Sequence, residues 1–197
     1  MITPVRGSSS PLRRRSVLPR LAGAAALSLT AMAALTPAAA ADPVPVAPYR
    51  GLAIQPRTAA NGPDLVLDVE GSTTENGARI RLQRYTGADD QLWLAVPVGG
   101  ELFEIRNVHS HACLDVRNNS NADEAELIQY GCHSGANQRW KAVAVQGGGF
   151  RIIAAGSGKC MDGYNTASDE PVEGAKVVQT TCASPVPNDQ RWTFVPV

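Results

Sequence analysis

Aromatic residues are scarce in this chain of 197 residues, with three tryptophans, three phenylalanines and four tyrosines. A core built mainly on rings is excluded. Histidine is rarer still, with three copies. Two of them, His109 and His111, flank one serine in a turn-like stretch without further ligands nearby, so solvated loop histidines are expected and no metal site. Four cysteines occur and none forms a C-x-x-C pair, which argues against structural zinc. The chain lacks G-x-S-x-G and H-E-x-x-H, and "AAGSGKC" at 154–160 falls short of a phosphate-loop spacing. Adjacent carboxylates such as Asp89 and Asp90 show no pattern that assigns acid and base roles. The expectation is a protein with no catalytic residue and no cofactor.

Long apolar runs are missing as well. The first twenty residues carry Arg6, Arg13, Arg14, Arg15 and Arg20 and no acid. The apolar stretch Leu21–Leu35 follows, mostly alanine, and then "TPAAAADP". A membrane anchor needs roughly 20 strongly apolar residues. A basic start, a short apolar middle and a small-residue exit instead predict a secretory signal peptide over 1–41, with export by the Sec or the twin-arginine route. The expected product is extracellular and free of a membrane span. Losing the five arginines leaves 13 basic against 18 acidic residues and no basic run. Such a surface repels phosphate backbones, so nucleic acid is not an expected partner. Residues 42–49 read as an extended proline-rich lead-in.

What is present is a repeat. Asp68, Asp115 and Asp162 are spaced 47 apart, and so are Trp93 and Trp140; Trp192 follows 52 later. After each tryptophan the chain repeats as "WLAVPV", "WKAVAV" and "WTFVPV". Three units are expected, over about 50–98, 99–145 and 146–197. Between the markers, short alternating runs such as "LFEIR" and "FRIIA" are broken by "GG", "NG" and "GGG", which indicates strands rather than helices. About 47 residues hold about four short strands. Three such units packed around an axis close a barrel without exposed edges, which predicts an all-β fold, a β-trefoil. Repeat logic pairs Cys113 with Cys132 and Cys160 with Cys182, each within its own unit, and each bridge should contribute roughly 3 kcal/mol.

Three units with "V-L-D", "C-L-D" or "C-M-D" early and "Q-x-W" late resemble the ricin B-type lectin family of β-trefoil sugar-binding modules. The resemblance covers 50–197 and implies that Trp93, Trp140 and Trp192 pack into the shared core. It also implies a binding carboxylate in each unit, at Asp68, Asp115 and Asp162, with a stacking ring two residues before the second cysteine and amides near the Q-x-W. The second unit fits best, with Asp115, Tyr130, Asn137 and Gln138. The first offers Asp68, Asp90 and Gln91, with Gln83 at the ring position. The third offers Asp162, Asp189 and Gln190, with Thr180 there and Tyr164 as a ring from another side. A shift of one residue would instead align Gln83, Gln129 and Gln179. Asp115 is expected at a strand end, where its loss would spare the fold.

The resulting expectation is a secreted, monomeric, non-catalytic lectin that binds glycans or polysaccharides through shallow, weak sites. Two alternatives come from other classes. One is an accessory module of a carbohydrate-active enzyme, although three units fill the expected mature chain. The other is an inhibitor of secreted hydrolases that acts through the loop "SPVPND" at 184–189.

Overall fold

The computed structural model describes residues 51–58, 64–165 and 168–197; the expected signal peptide and lead-in lie outside them. Alternating apolar positions between turns produce three sets of four short strands. The first unit holds β1 (Leu52–Pro56), β2 (Leu65–Val69), β3 (Ile80–Arg84) and β4 (Trp93–Gly99). The second holds β5 (Leu102–Asn107), β6 (Cys113–Val116), β7 (Ala125–Tyr130) and β8 (Trp140–Ala144). The third holds β9 (Phe150–Ala154), β10 (Cys160–Gly163), β11 (Val177–Thr180) and β12 (Trp192–Pro196).

Six of these strands close a ring. The pairs β1–β4, β4–β5, β5–β8, β8–β9, β9–β12 and β12–β1 are all antiparallel and return to their start, which leaves the barrel no free edge. The hairpins β2–β3, β6–β7 and β10–β11 stand over one end of it. This is the β-trefoil that the period predicts. The helical segments among the described residues are single 3-10 turns of three residues.

The core repeats with the sequence. Trp93, Trp140 and Trp192 have no exposed surface. Each indole Nε1–H donates to a backbone carbonyl in its own unit, Leu67 at 3.2 Å, Leu114 at 3.1 Å and Met161 at 3.0 Å. A buried ring thus keeps its single polar group satisfied. Leu67, Leu114 and Met161 are buried themselves, so one bond fixes the hairpin strand to the barrel. The disulfides join Cys113 to Cys132 and Cys160 to Cys182, with Cα atoms 5.0 Å apart in both.

Strand register also removes the one-residue ambiguity. Cys113 pairs with Tyr130 and Cys160 with Thr180, while Val66 pairs with Gln83. Gln129 and Gln179 therefore occupy the next position, together with Leu82. Both glutamines are fully buried and tie down the previous unit. Gln129 Nε2 donates to the carbonyls of Thr73 and Glu75, and Gln179 Nε2 to those of Ser120 and Ala122.

Three equivalent backbone bonds lock neighbouring units: Gly77 N to Gln129 O, Glu124 N to Gln179 O, and Gly174 N to Leu82 O. All three donors have positive φ, at 87°, 63° and 80°. Glycine adopts that conformation freely, but glutamate does not. A Cβ on Gly77 or Gly174 would meet no atom within 4 Å, so a substitution there is opposed by backbone strain rather than by a clash. Gly77→Ala and Gly174→Ala are each expected to cost about 1 kcal/mol, whereas Glu124→Gly relieves the strain of its positive φ and is expected to raise the melting temperature. Thermal unfolding of the three variants checks this, and a loss of stability in Glu124→Gly would contradict it.

Candidate functional site

Each unit gathers the same polar elements beneath its hairpin. The aspartate comes from the first hairpin strand: Asp68 on β2, Asp115 on β6 and Asp162 on β10. A 3-10 turn just before each tryptophan supplies the rest, at Asp89–Gln91, Ala136–Gln138 and Asn188–Gln190. The sequence brings these positions together because the indole anchors the turn from one side and the strand from the other.

The glutamine of each turn bonds the aspartate. Gln91 Nε2 lies 2.8 Å from Asp68 Oδ2, Gln138 Nε2 2.8 Å from Asp115 Oδ2, and Gln190 Nε2 2.9 Å from Asp162 Oδ2. The same nitrogen also donates to a carbonyl, of Arg84, Gly131 or Thr181. Each Oε1 accepts a backbone N–H, from Thr86, His133 or Ala183. None of the three glutamines is more than 3% exposed. Both ends of each amide are occupied, so their bonding fixes the aspartate and the adjoining loop.

The residue before the glutamine separates the units. In the second, Asn137 Nδ2 donates to Asp115 Oδ2 at 2.8 Å. Burial pushes the Asp115 carboxyl up, while Gln138, Asn137 and His133 pull it back. In the first and third units that residue is an aspartate, which donates nothing when ionised. Asp90 accepts the Ser72 hydroxyl at 2.6 Å. Burial, opposed by Gln91 and reinforced by the charge of Asp90, raises the Asp68 carboxyl. Asp189 is worse placed, because its Oδ1 is buried and has no hydrogen-bond partner. Burial and the charges of Asp162 and Asp169 push its carboxyl up to about 7.

The surfaces above these carboxylates differ too. Tyr130 is 45% exposed and pairs with Cys113, two residues before Asp115 on β6. His133 meets its ring edge-on, with centroids 6.3 Å apart, and places Nε2 3.5 Å from Asp115 Oδ2. Sequence reasoning passed over His133; its signal is that Thr86 and Ala183 hold the same place in the other units. Gly135 makes room for this group, since a Cβ there would come within 2.6 Å of both His133 and Asn137. Asp115 itself is buried rather than at an open strand end, so its carboxylate is also part of the packing.

The first unit has a cleft of about 630 Å³ lined by Asp68, Asp90, Gln91, Gln83, Arg81 and Glu173, with no ring among its walls. In the third unit the Thr180 hydroxyl donates to Asp162 at 2.8 Å. Tyr164 bonds Glu124 of the second unit, which raises its phenol.

Residues 57–130, 89–179 and 136–197 match the model of the ricin-type β-trefoil lectin domain-like family. The chain belongs to this family. Among solved structures it is similar to ThreeFoil, a designed threefold-symmetric protein, at 31% identity and a TM-score of 0.68, over 75% of this chain and 99% of that one. It is also similar to an exo-β-1,3-galactanase from Clostridium thermocellum, at 31% identity and a TM-score of 0.66, over 75% of this chain but 30% of the enzyme. The agglutinin of Rhizoctonia solani shares the fold, at 18% identity and a TM-score of 0.62, over 78% of this chain and 99% of that one. The sequence matches none of the curated proteins with which it was compared.

Within this β-trefoil lectin frame, the unlike turns give a pH signature. A folded carboxyl raised above its unfolded value contributes stability below the unfolded pKa and loses it as pH climbs through the folded one. For Asp189 that window runs from about 4 to about 7. Asp189→Asn gives Asp162 the amide that Asn137 gives Asp115, and it is expected to stabilise the protein at pH 8 by on the order of 2 kcal/mol and far less at pH 4. Melting temperatures of wild type and variant at both pH values check this. A gain of equal size at both would contradict the raised carboxyl.

Proposed function

We propose that this protein binds polysaccharides through the second unit, at a site made by Asp115, Tyr130, Asn137 and His133. The observation that carries the reading is the meeting of a fixed carboxylate with an exposed ring. Gln138 and Asn137 both bond Asp115 Oδ2, which leaves Oδ1 to accept sugar hydroxyls in charge-assisted bonds. Tyr130 offers a face for the apolar C–H side of the ring, and His133 can reach a neighbouring hydroxyl. Gln138, Gln91 and Gln190 act as positioning residues.

The first and third units are secondary sites in this reading. Asp68 and Asp90 line an open cleft, and Asp162 with Asp189 forms a like-charged pair, but Gln83 and Thr180 stand where Tyr130 stands in the second unit. Their role is retention along a polymer that spans several weak sites. The likeness to a galactanase favours a β-1,3-galactan as the polymer. A monomer released outside the cell suits such a role. The inhibitor alternative loses support because Val186 within the loop at 184–189 is tied to Arg191, and Ala183 just before the loop to Arg151.

Calorimetric titration with a β-1,3-galacto-oligosaccharide tests the site. Tyr130→Ala changes an exposed side chain and should leave the melting temperature in place while weakening binding about tenfold, or about 1.4 kcal/mol. Asp115→Asn keeps the volume of a buried side chain and should weaken binding by roughly 1.5–3 kcal/mol, enough to remove a millimolar site from detection. Wild-type affinity in both variants would overturn the assignment, and absence of glycan binding by the wild type would overturn the lectin reading.

A further inference from the structure

The third unit carries two arginines where the second carries an ion pair. Asn107 pairs with Trp93 and Ala154 with Trp140, so Glu104 and Arg151, each three residues earlier, hold the same place on β5 and β9. Arg139 and Arg191 immediately precede the tryptophans of their units. Glu104 is buried and bonds both Arg106 and Arg139. Burial alone would raise its carboxyl, but the two guanidiniums hold it below the ordinary range. In the third unit Arg151 takes the strand position of Glu104, and Ile153 replaces Arg106.

Among the described residues, neither Arg151 nor Arg191 meets an acid. Arg151 Nη2 donates to Ala183 O, and Arg191 donates from Nη2 to Val186 O at 3.3 Å and from Nη1 to Gln146 O at 3.2 Å. The Nε of both is buried without a hydrogen-bond partner. Arg81 and Arg117 also have an orphaned buried Nε, but each faces a carboxylate, Glu70 or Glu126. The pair in the third unit has only carbonyl dipoles against two full charges. Arg57 adds a third guanidinium at the edge, bonding Gly147 O at 2.8 Å. A Cβ built on Gly147 would lie 3.1 Å from Arg191 Nη1 and 3.9 Å from Arg57 Nη1, which puts both arginines at one turn.

We propose that Arg151 and Arg191, with Arg57 at the rim, form an oxyanion-binding site for a sulfate or carboxylate group. The group fills the role that the Glu104 side chain fills in the second unit. A guanidinium presents Nε–H and Nη–H as a planar fork that fits two oxygens of one anion, and the orphaned Nε–H groups are half of that fork. An anion here would supply the countercharge that the carbonyl partners of Arg151 and Arg191 do not provide. The acidic excess of the chain beyond residue 41 works against diffuse anion attraction, so binding here is local. The site requires no sugar at Asp115 or Asp162 and stands apart from the lectin reading.

The test compares thermal unfolding of the oxidised protein in sodium sulfate and in sodium chloride of equal ionic strength. Arg151→Glu is the informative variant, because it gives Arg191 the carboxylate that Arg139 already has and so should fold. Sulfate stabilises proteins generally, so the readout is the increment of wild type over this variant. At tenfold excess over its dissociation constant, sulfate should raise the wild-type melting temperature by about 3–6 °C beyond any rise in Arg151→Glu. Arg151→Gln, which neither binds the anion well nor restores the pair, should lose the same increment. Equal responses in wild type and Arg151→Glu, or no sulfate-specific response at all, would overturn the site. Retention on a sulfated galactan above its desulfated form, lost in Arg151→Glu, makes a glycan the source of the anion. Equal retention with the sulfate increment intact makes it the free ion.

Discussion

Three buried indole N–H groups, each bonded to a carbonyl of its own hairpin strand, set the geometry on which the other features depend. The bond joins the strand that begins at the tryptophan to the strand that carries the aspartate. Once both are fixed, the 3-10 turn between them has to bring its glutamine against that aspartate. Core packing and site assembly are therefore one event. Loss of a tryptophan would release the polar cluster above it together with the core below.

Repetition makes this frame, and departures from repetition give it chemistry. At the end of the barrel capped by the hairpins, equivalent positions hold Arg79, Glu126 and Lys176. The one acid serves both bases and Arg117 as well, with separations of 3.1, 3.5 and 3.2 Å. Burial would raise the Glu126 carboxyl, yet these three cations keep it below its ordinary value. Three identical side chains there could not pair with one another. The same logic runs outward: asparagine replaces aspartate before one glutamine, tyrosine replaces threonine and glutamine over one carboxylate, and arginine replaces glutamate on one strand.

Much of this was legible in the sequence. The 47-residue period gave three units, the cysteines fell into equivalent places within them, and the tryptophans recurred where a core residue must. Period and composition do not report which face of a strand a polar residue takes. Gln129 and Tyr130 are neighbours, and only pairing with β6 shows that the first is buried between units while the second meets solvent. The burial of Asp115 was hidden for a like reason, because its cover comes from Asn137 and Gln138, more than twenty residues away. The first unit also runs out of register ahead of β2. Pro56 pairs with Trp192 as Asn107 pairs with Trp93 and Ala154 with Trp140, so extra residues before β2 offset β1 from the period.

The central claim is that one unit of three pairs a braced carboxylate with an exposed ring and thereby holds a sugar. A crystal structure with a β-1,3-galacto-oligosaccharide bound is the most direct measurement. The account predicts a sugar with hydroxyls on Asp115 Oδ1 and Asn137 and its apolar face on Tyr130. A sugar seated in the cleft of Asp68 and Asp90, with the surface of Asp115 and Tyr130 left bare, would contradict it.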